Sequence, residues 1–168
     1  ASDPLREQAM GLAGDAELRC GRYWQAYAWY ERQLRDFPNG KDAERALQRE
    51  MEVAEAFLAG KKRIAAKVFR LPAEDEAVMI LQRVAERAAG TAMAEVALLT
   101  IGDHYYRKHQ WADAVAAYDM YLKLFAKSER AAHAEIHAAS ALRLSYRGPA
   151  YDETPLIDAQ QRLLIFRE

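Results

Sequence analysis

Along most of the chain, apolar side chains return every three or four residues, the spacing that gathers them on one side of an α-helix. The stretch 21–38, GRYWQAYAWYERQLRDFP, shows it most plainly, and 109–126, HQWADAVAAYDMYLKLFA, repeats the same design. Shifted by 88 positions, Tyr23 falls on Trp111, Ala26 on Ala114, Tyr30 on Tyr118, Leu34 on Leu122 and Phe37 on Phe125. In each stretch a small residue lets a neighbouring helix approach while aromatic rings fill the space around it. Self-similarity of this kind marks a chain built from stacked helical hairpins.

Taken in order, the pattern predicts a helix over about 4–20, with Asp3 as cap and Pro4 in the first turn, ended by Gly21. Its partner runs over 24–37 and stops at Pro38-Asn39-Gly40, and a third helix spans about 42–59 and ends at Gly60. There the rhythm breaks. The segment 61–75 is extra to the repeat, and Ile64, Val68 and Leu71 lie at helical spacing, so a short helix folded on the stack is expected there. The periodicity resumes at Glu76 or Ala77. Further helices are expected over 91–109, over 111–125, and from Ser128 as cap to about Tyr146. Gly148, Pro149 and Pro155 then enforce a loop, after which Thr154 caps a last helix from Pro155. The run Leu163-Leu164-Ile165-Phe166 is apolar on every side, so the chain is expected to continue beyond Glu168 or to pack there on another subunit.

The 168 residues suffice for about four hairpins of roughly 34 residues each. Alanine is abundant and glycine and proline occur singly, which favours helix throughout. The fold class expected is all-α: a right-handed, tetratricopeptide-like solenoid of about four antiparallel helix pairs in one domain, 1–168, with hairpins at 4–38, 41–89, 91–126 and 128–168. Gly14, Gly21, Ala26, Tyr30 and Pro38 fall on the signature positions of that repeat, with Gly14 where two helices cross closely.

A formal net charge of −1 supplies no general attraction to nucleic acid or anionic lipid. No apolar run is long enough to span a bilayer. The one cysteine, Cys20, excludes an internal disulfide and is expected as a small filler at a helix end. Phosphate loops, nucleophile triads and cysteine-rich metal spacings are missing from the sequence, so the expectation is a protein that is not an enzyme and carries no cofactor. His133 and His137, at i and i+4, could share a metal with Asp103 and Tyr106 as further ligands; two histidines alone make a poor site, and no metal is assigned.

In the repeat register the same side chains have another use. Alternate positions of each first helix line a concave face, among them Asp15, Arg45, Gln48, Glu52, Glu55, Asp103, Tyr106, His133 and His137. The face is polar and leans acidic, and it is expected to receive an extended or helical segment of a partner protein. A second candidate surface is the basic insertion, where Lys61, Lys62, Arg63, Lys67 and Arg70 occur without one acid and could dock an acidic partner.

The chain resembles the tetratricopeptide lipoproteins of outer-membrane assembly, the BamD or YfiO group. The resemblance is carried by GRYWQAYAWYERQLRDFPNGKDAERAL, the GKKR insertion leading into EAVMILQRVAERA, the IGDHYYRKHQWADAVAAYDMYLKLFAKSERAAHAE repeat and YRGPAYDETPLIDAQQRL. It implies a scaffold at the periplasmic face of the outer membrane that holds the β-barrel assembly machinery together, with envelope assembly components or unfolded outer-membrane protein segments as partners. Cys20 follows Glu17-Leu18-Arg19 inside a helix and is not a lipidation site, so any anchor lies outside this segment. The alternative is a generic tetratricopeptide adaptor, cytoplasmic, that binds peptide segments of a partner.

Overall fold

A computed structural model of the chain describes residues 4–65, 69–148 and 150–166. It divides into two compact units, one ending at Ala88 and the other beginning at Ala89. The fold is all-α in both, with successive helices packed pairwise.

The first unit holds α1 (Pro4–Arg19), α2 (Tyr23–Asp36), α3 (Ala43–Leu58) and α4 (Glu74–Arg87). Each helix packs on the next. α2 buries Ala26, Tyr27, Tyr30, Gln33 and Leu34, the positions that recur at three and four residues, and α3 answers with Ala46, Leu47, Val53, Ala54 and Phe57. α1 and α2 come close together at Gly14 of α1. A Cβ there would run into the Tyr30 ring, which occupies the place a side chain would take. Gly21 and Gly60 end α1 and α3 with φ of 70° and 89°, left-handed conformations that cost glycine little.

Between α3 and α4 the structure departs from expectation. The insertion forms an antiparallel pair of short strands, β1 (Arg63–Ala65) and β2 (Phe69–Leu71), with Arg63 opposite Leu71 and Ile64 opposite Arg70. The expected short helix is absent from the described residues, and Val68 and Lys67 lie outside them. The reason is physical. Only eleven residues separate Gly60 from Pro72, too few to offset the cost of nucleating a helix, and β-branched Ile64 and aromatic Phe69 favour pairing.

The second unit holds α5 (Ala92–Arg107), α6 (Trp111–Phe125), α7 (Ala131–Ser145) and α8 (Thr154–Phe166), again each packed on the next, with α5 also touching α7. α5, α6 and α7 start 88 positions after α1, α2 and α3, so the repetition extends across three helices. Gly102 plays the part of Gly14: a Cβ on it would lie 2.6 Å from Cε1 of Tyr118. His109 stands where Gly21 stood, keeps a left-handed φ of 60°, and stacks on Trp111 with ring centroids 5.0 Å apart.

Three expected end residues act differently. The side chain that caps the turn before α8 is Asp152, whose Oδ1 accepts from Thr154 N at 3.0 Å and from the Thr154 hydroxyl at 2.6 Å; these bonds hold its carboxyl below the ordinary range. Ser128 caps the turn ahead of α7, accepting from Arg130 N at 3.0 Å. Cys20 is exposed rather than packed, because α1 ends at Arg19 and the next turn faces water. Leu163, Leu164 and Ile165 of α8 are exposed as well. No helix among the described residues is long and apolar enough to cross a membrane.

Candidate functional site

The 88-residue repetition places one carboxylate in the same setting in each unit. In the first, the Tyr30 hydroxyl donates to Asp15 Oδ1 at 2.8 Å. In the second, the Tyr118 hydroxyl donates to Asp103 Oδ1 at 2.7 Å. Burial, and then the acceptor carboxylate, push both phenols far above their ordinary range, so each tyrosine remains a donor at any physiological pH. Both bonds follow from the glycine preceding the acid, which lets the ring lie flat across the first helix.

What faces the carboxylate from the third helix differs. In the first unit these are Arg45 and Arg49. Arg45 Nη2 donates to Asp15 Oδ2, and Arg49 Nε stands 3.2 Å from Oδ1 while its Nη1 reaches Glu52 at 2.7 Å. Asp15 is thereby buried, contrary to its expected place on an open face, and the space around it shrinks to about 10 Å³. Two guanidinium groups and a phenol consume the acceptor capacity of the acid and close the site.

In the second unit the equivalent α7 positions carry His133 and His137. His133 Nε2 donates to Asp103 Oδ1 at 3.0 Å, since a carboxylate can only accept. His137 Nδ1 donates to the His133 carbonyl at 2.9 Å, and the two rings stack with centroids 3.9 Å apart. Tyr106 meets His137 edge-on at 5.0 Å, and its hydroxyl is 2.9 Å from Ser140 Oγ. The result is an open hollow of about 450 Å³ lined by Thr100, Asp103, Tyr106, Arg107, His133 and His137. Four of the expected groove residues, Asp103, Tyr106, His133 and His137, are therefore together. Among the described residues no three His, Cys, Asp or Glu side chains are arranged to hold a metal ion.

The other expected groove residues belong to the first unit. Gln48, Glu52 and Glu55 are exposed on α3, with Glu52 held by Arg49. Of the basic insertion, Lys61 and Lys62 are exposed. Arg63 is engaged: its guanidinium lies 5.0 Å above the Trp24 ring, and its Nη1 is 3.2 Å from Glu76 Oε1. It serves to fasten the strand pair to α2 and α4. Arg70 lies in β2.

One cluster escaped the sequence reading. Glu50 of α3 is fully buried, neither carboxylate oxygen accepts a hydrogen bond, and the nearest cation, Arg87 Nη1, is 3.6 Å from Oε2. Arg87 is committed instead to Glu31, with bonds of 2.7 and 2.8 Å that hold Glu31 below the usual carboxylate range. Desolvation, reinforced by the Glu31 charge, pushes Glu50 up to about 8. The only sequence signal was negative: the position 88 residues on is Ala138, a buried small residue, which marks Glu50 as an acid at a core position.

Compared with known protein families and with curated proteins, the chain gives no match.

Proposed function

We propose that this chain is a non-enzymatic helical-repeat scaffold that binds other proteins, acting at the periplasmic face of the outer membrane as a component of the β-barrel assembly machinery. One observation supports the binding role most. Polar side chains stand open: Gln48, Glu52 and Glu55 on α3 of the first unit and, in the second, the residues around the Asp103 hollow. Exposed polar faces on packed helices suit an extended polypeptide, whose amides and charges find partners along them. The envelope setting rests on the GPAYDETPL loop and the GKKR insertion, whose likeness to outer-membrane assembly lipoproteins is a resemblance of sequence.

The test is capture from a detergent-solubilised envelope fraction by the intact chain and by a variant carrying Glu52→Lys and Glu55→Lys. Barrel proteins or their assembly factors should be retained by the first and lost from the second. Equal retention by both would remove α3 from the binding surface. Retention of cytosolic proteins alone would favour the adaptor reading.

A further inference from the structure

The two units provide an internal comparison at one site. In the first, Asp15 has an arginine on each oxygen: Arg45 on Oδ2 and Arg49 on Oδ1, with Tyr30. In the second, both the tyrosine and His133 use Oδ1 of Asp103, and Oδ2 accepts no hydrogen bond from the described residues. The Asp103 side chain is 38% exposed against 9% for Asp15. The space beside Asp15, toward Gln8 and Gln33, is about 10 Å³, whereas beside Asp103 a hollow of about 450 Å³ reaches from the two imidazoles to Thr100, Tyr106 and Arg107. Arg107, on the rim, is turned along its own helix, with Nε donating to the Asp103 carbonyl at 3.2 Å rather than to the carboxylate.

We propose that this hollow accepts the side chain of an arginine presented by a partner polypeptide, which supplies from outside the contact that Arg45 makes within the first unit. The guanidinium donates to Asp103 Oδ2. Its plane lies against the rings of Tyr106 and the stacked histidines, for which a flat, weakly hydrated cation is suited and a compact ammonium is not. The hollow is larger than one side chain and open to water, so the arginine arrives on a chain rather than as a free amino acid. This deepens the scaffold reading, on which it rests, by naming what one part of the surface selects.

The experiment is an amide chemical-shift titration of the full chain with a capped Gly-Gly-Arg-Gly-Gly peptide. Parallel arms use the same peptide with citrulline, which keeps the shape and lacks the charge, or with lysine, and free L-arginine. The arginine peptide should shift amides of 99–107 and 131–141, and citrulline should bind at least about ten-fold more weakly, the size of one charge-assisted contact. Asp103→Asn should weaken the arginine peptide similarly. The informative variant is His133→Arg, which puts a guanidinium at the position that Arg45 holds in the first unit: it should fold, melt no lower than the parent and lose the peptide. Equal binding of arginine and citrulline peptides, lysine equal to arginine, free arginine as tight as the peptide, or undiminished binding by His133→Arg would each overturn the proposal. Failure here with envelope capture intact would leave the scaffold reading standing, whereas loss of capture with arginine binding intact would do the reverse.

Discussion

Replacing Glu50 by glutamine should stabilise the first unit, and by an amount that grows with pH. In the unfolded chain this carboxyl ionises near its ordinary 4.5, whereas in the fold it does so at about 8. Between those values the folded chain holds a proton that the unfolded chain releases, so stability falls as pH rises through the window and levels off above 8. At about 1.4 kcal/mol per pH unit, the full loss is on the order of 5 kcal/mol. Glu31 acts on the other side: its lowered value contributes stability that disappears only as pH falls below its ordinary range. Glutamine keeps the shape of Glu50 and cannot ionise. Urea melts of the full chain and of Glu50→Gln at about pH 5, 7 and 9 should give nearly equal stability at the lowest pH and an advantage to the variant of several kcal/mol at the highest. Titrating groups remote from Glu50 cancel in the difference, whereas Glu31, Tyr27 and Arg87 feel its charge and shift with it. Two pH profiles running parallel, or a variant less stable at about pH 9, would refute the reasoning that desolvation outweighs the Arg87 charge at Glu50.

Three further outcomes follow from the packing. Gly102→Ala should cost about 1–3 kcal/mol in thermal or urea melts, because the added methyl meets the Tyr118 ring; the same change at the open position Gly90 would cost through its φ of 78° alone. Tyr118→Phe removes a buried donor from a charged acceptor and should cost about 1.5 kcal/mol in urea melts. Arg63→Ala should leave helix content intact by circular dichroism while amide exchange in 63–65 and 69–71 speeds up, since the strand pair loses its hold on Trp24 and Glu76.

The helices were legible because their signals are local. The four-residue spacing of Ala26, Tyr30 and Leu34, and of Ala114 and Tyr118, depends on nothing but helix geometry, and these residues lie buried as that spacing requires. The Asp103, Tyr106, His133 and His137 grouping was legible for the same reason, since repeat register sets which residues of α5 face α7. The insertion was not. Ile64, Val68 and Leu71 fit a helical period by count, but a segment this short is decided by pairing and by the anchorage of Arg63 on other helices, which no local pattern carries. The burial of Asp15 was hidden likewise. It depends on Arg45 and Arg49 from α3, about 30 residues away, while the same register position in the second unit meets histidines and stays open.

On the proposed function, open polar positions of α3 and the hollow beside α5 and α7 hold polypeptide. A photoreactive phenylalanine analogue placed singly at Gln48, at Tyr106 and, as control, at the exposed Arg35 of α2 tests it in the intact protein within an envelope fraction. Covalent adducts with other proteins at positions 48 and 106, and none at 35, are the predicted result. Adducts at 35 alone, or equally at all three, would contradict it.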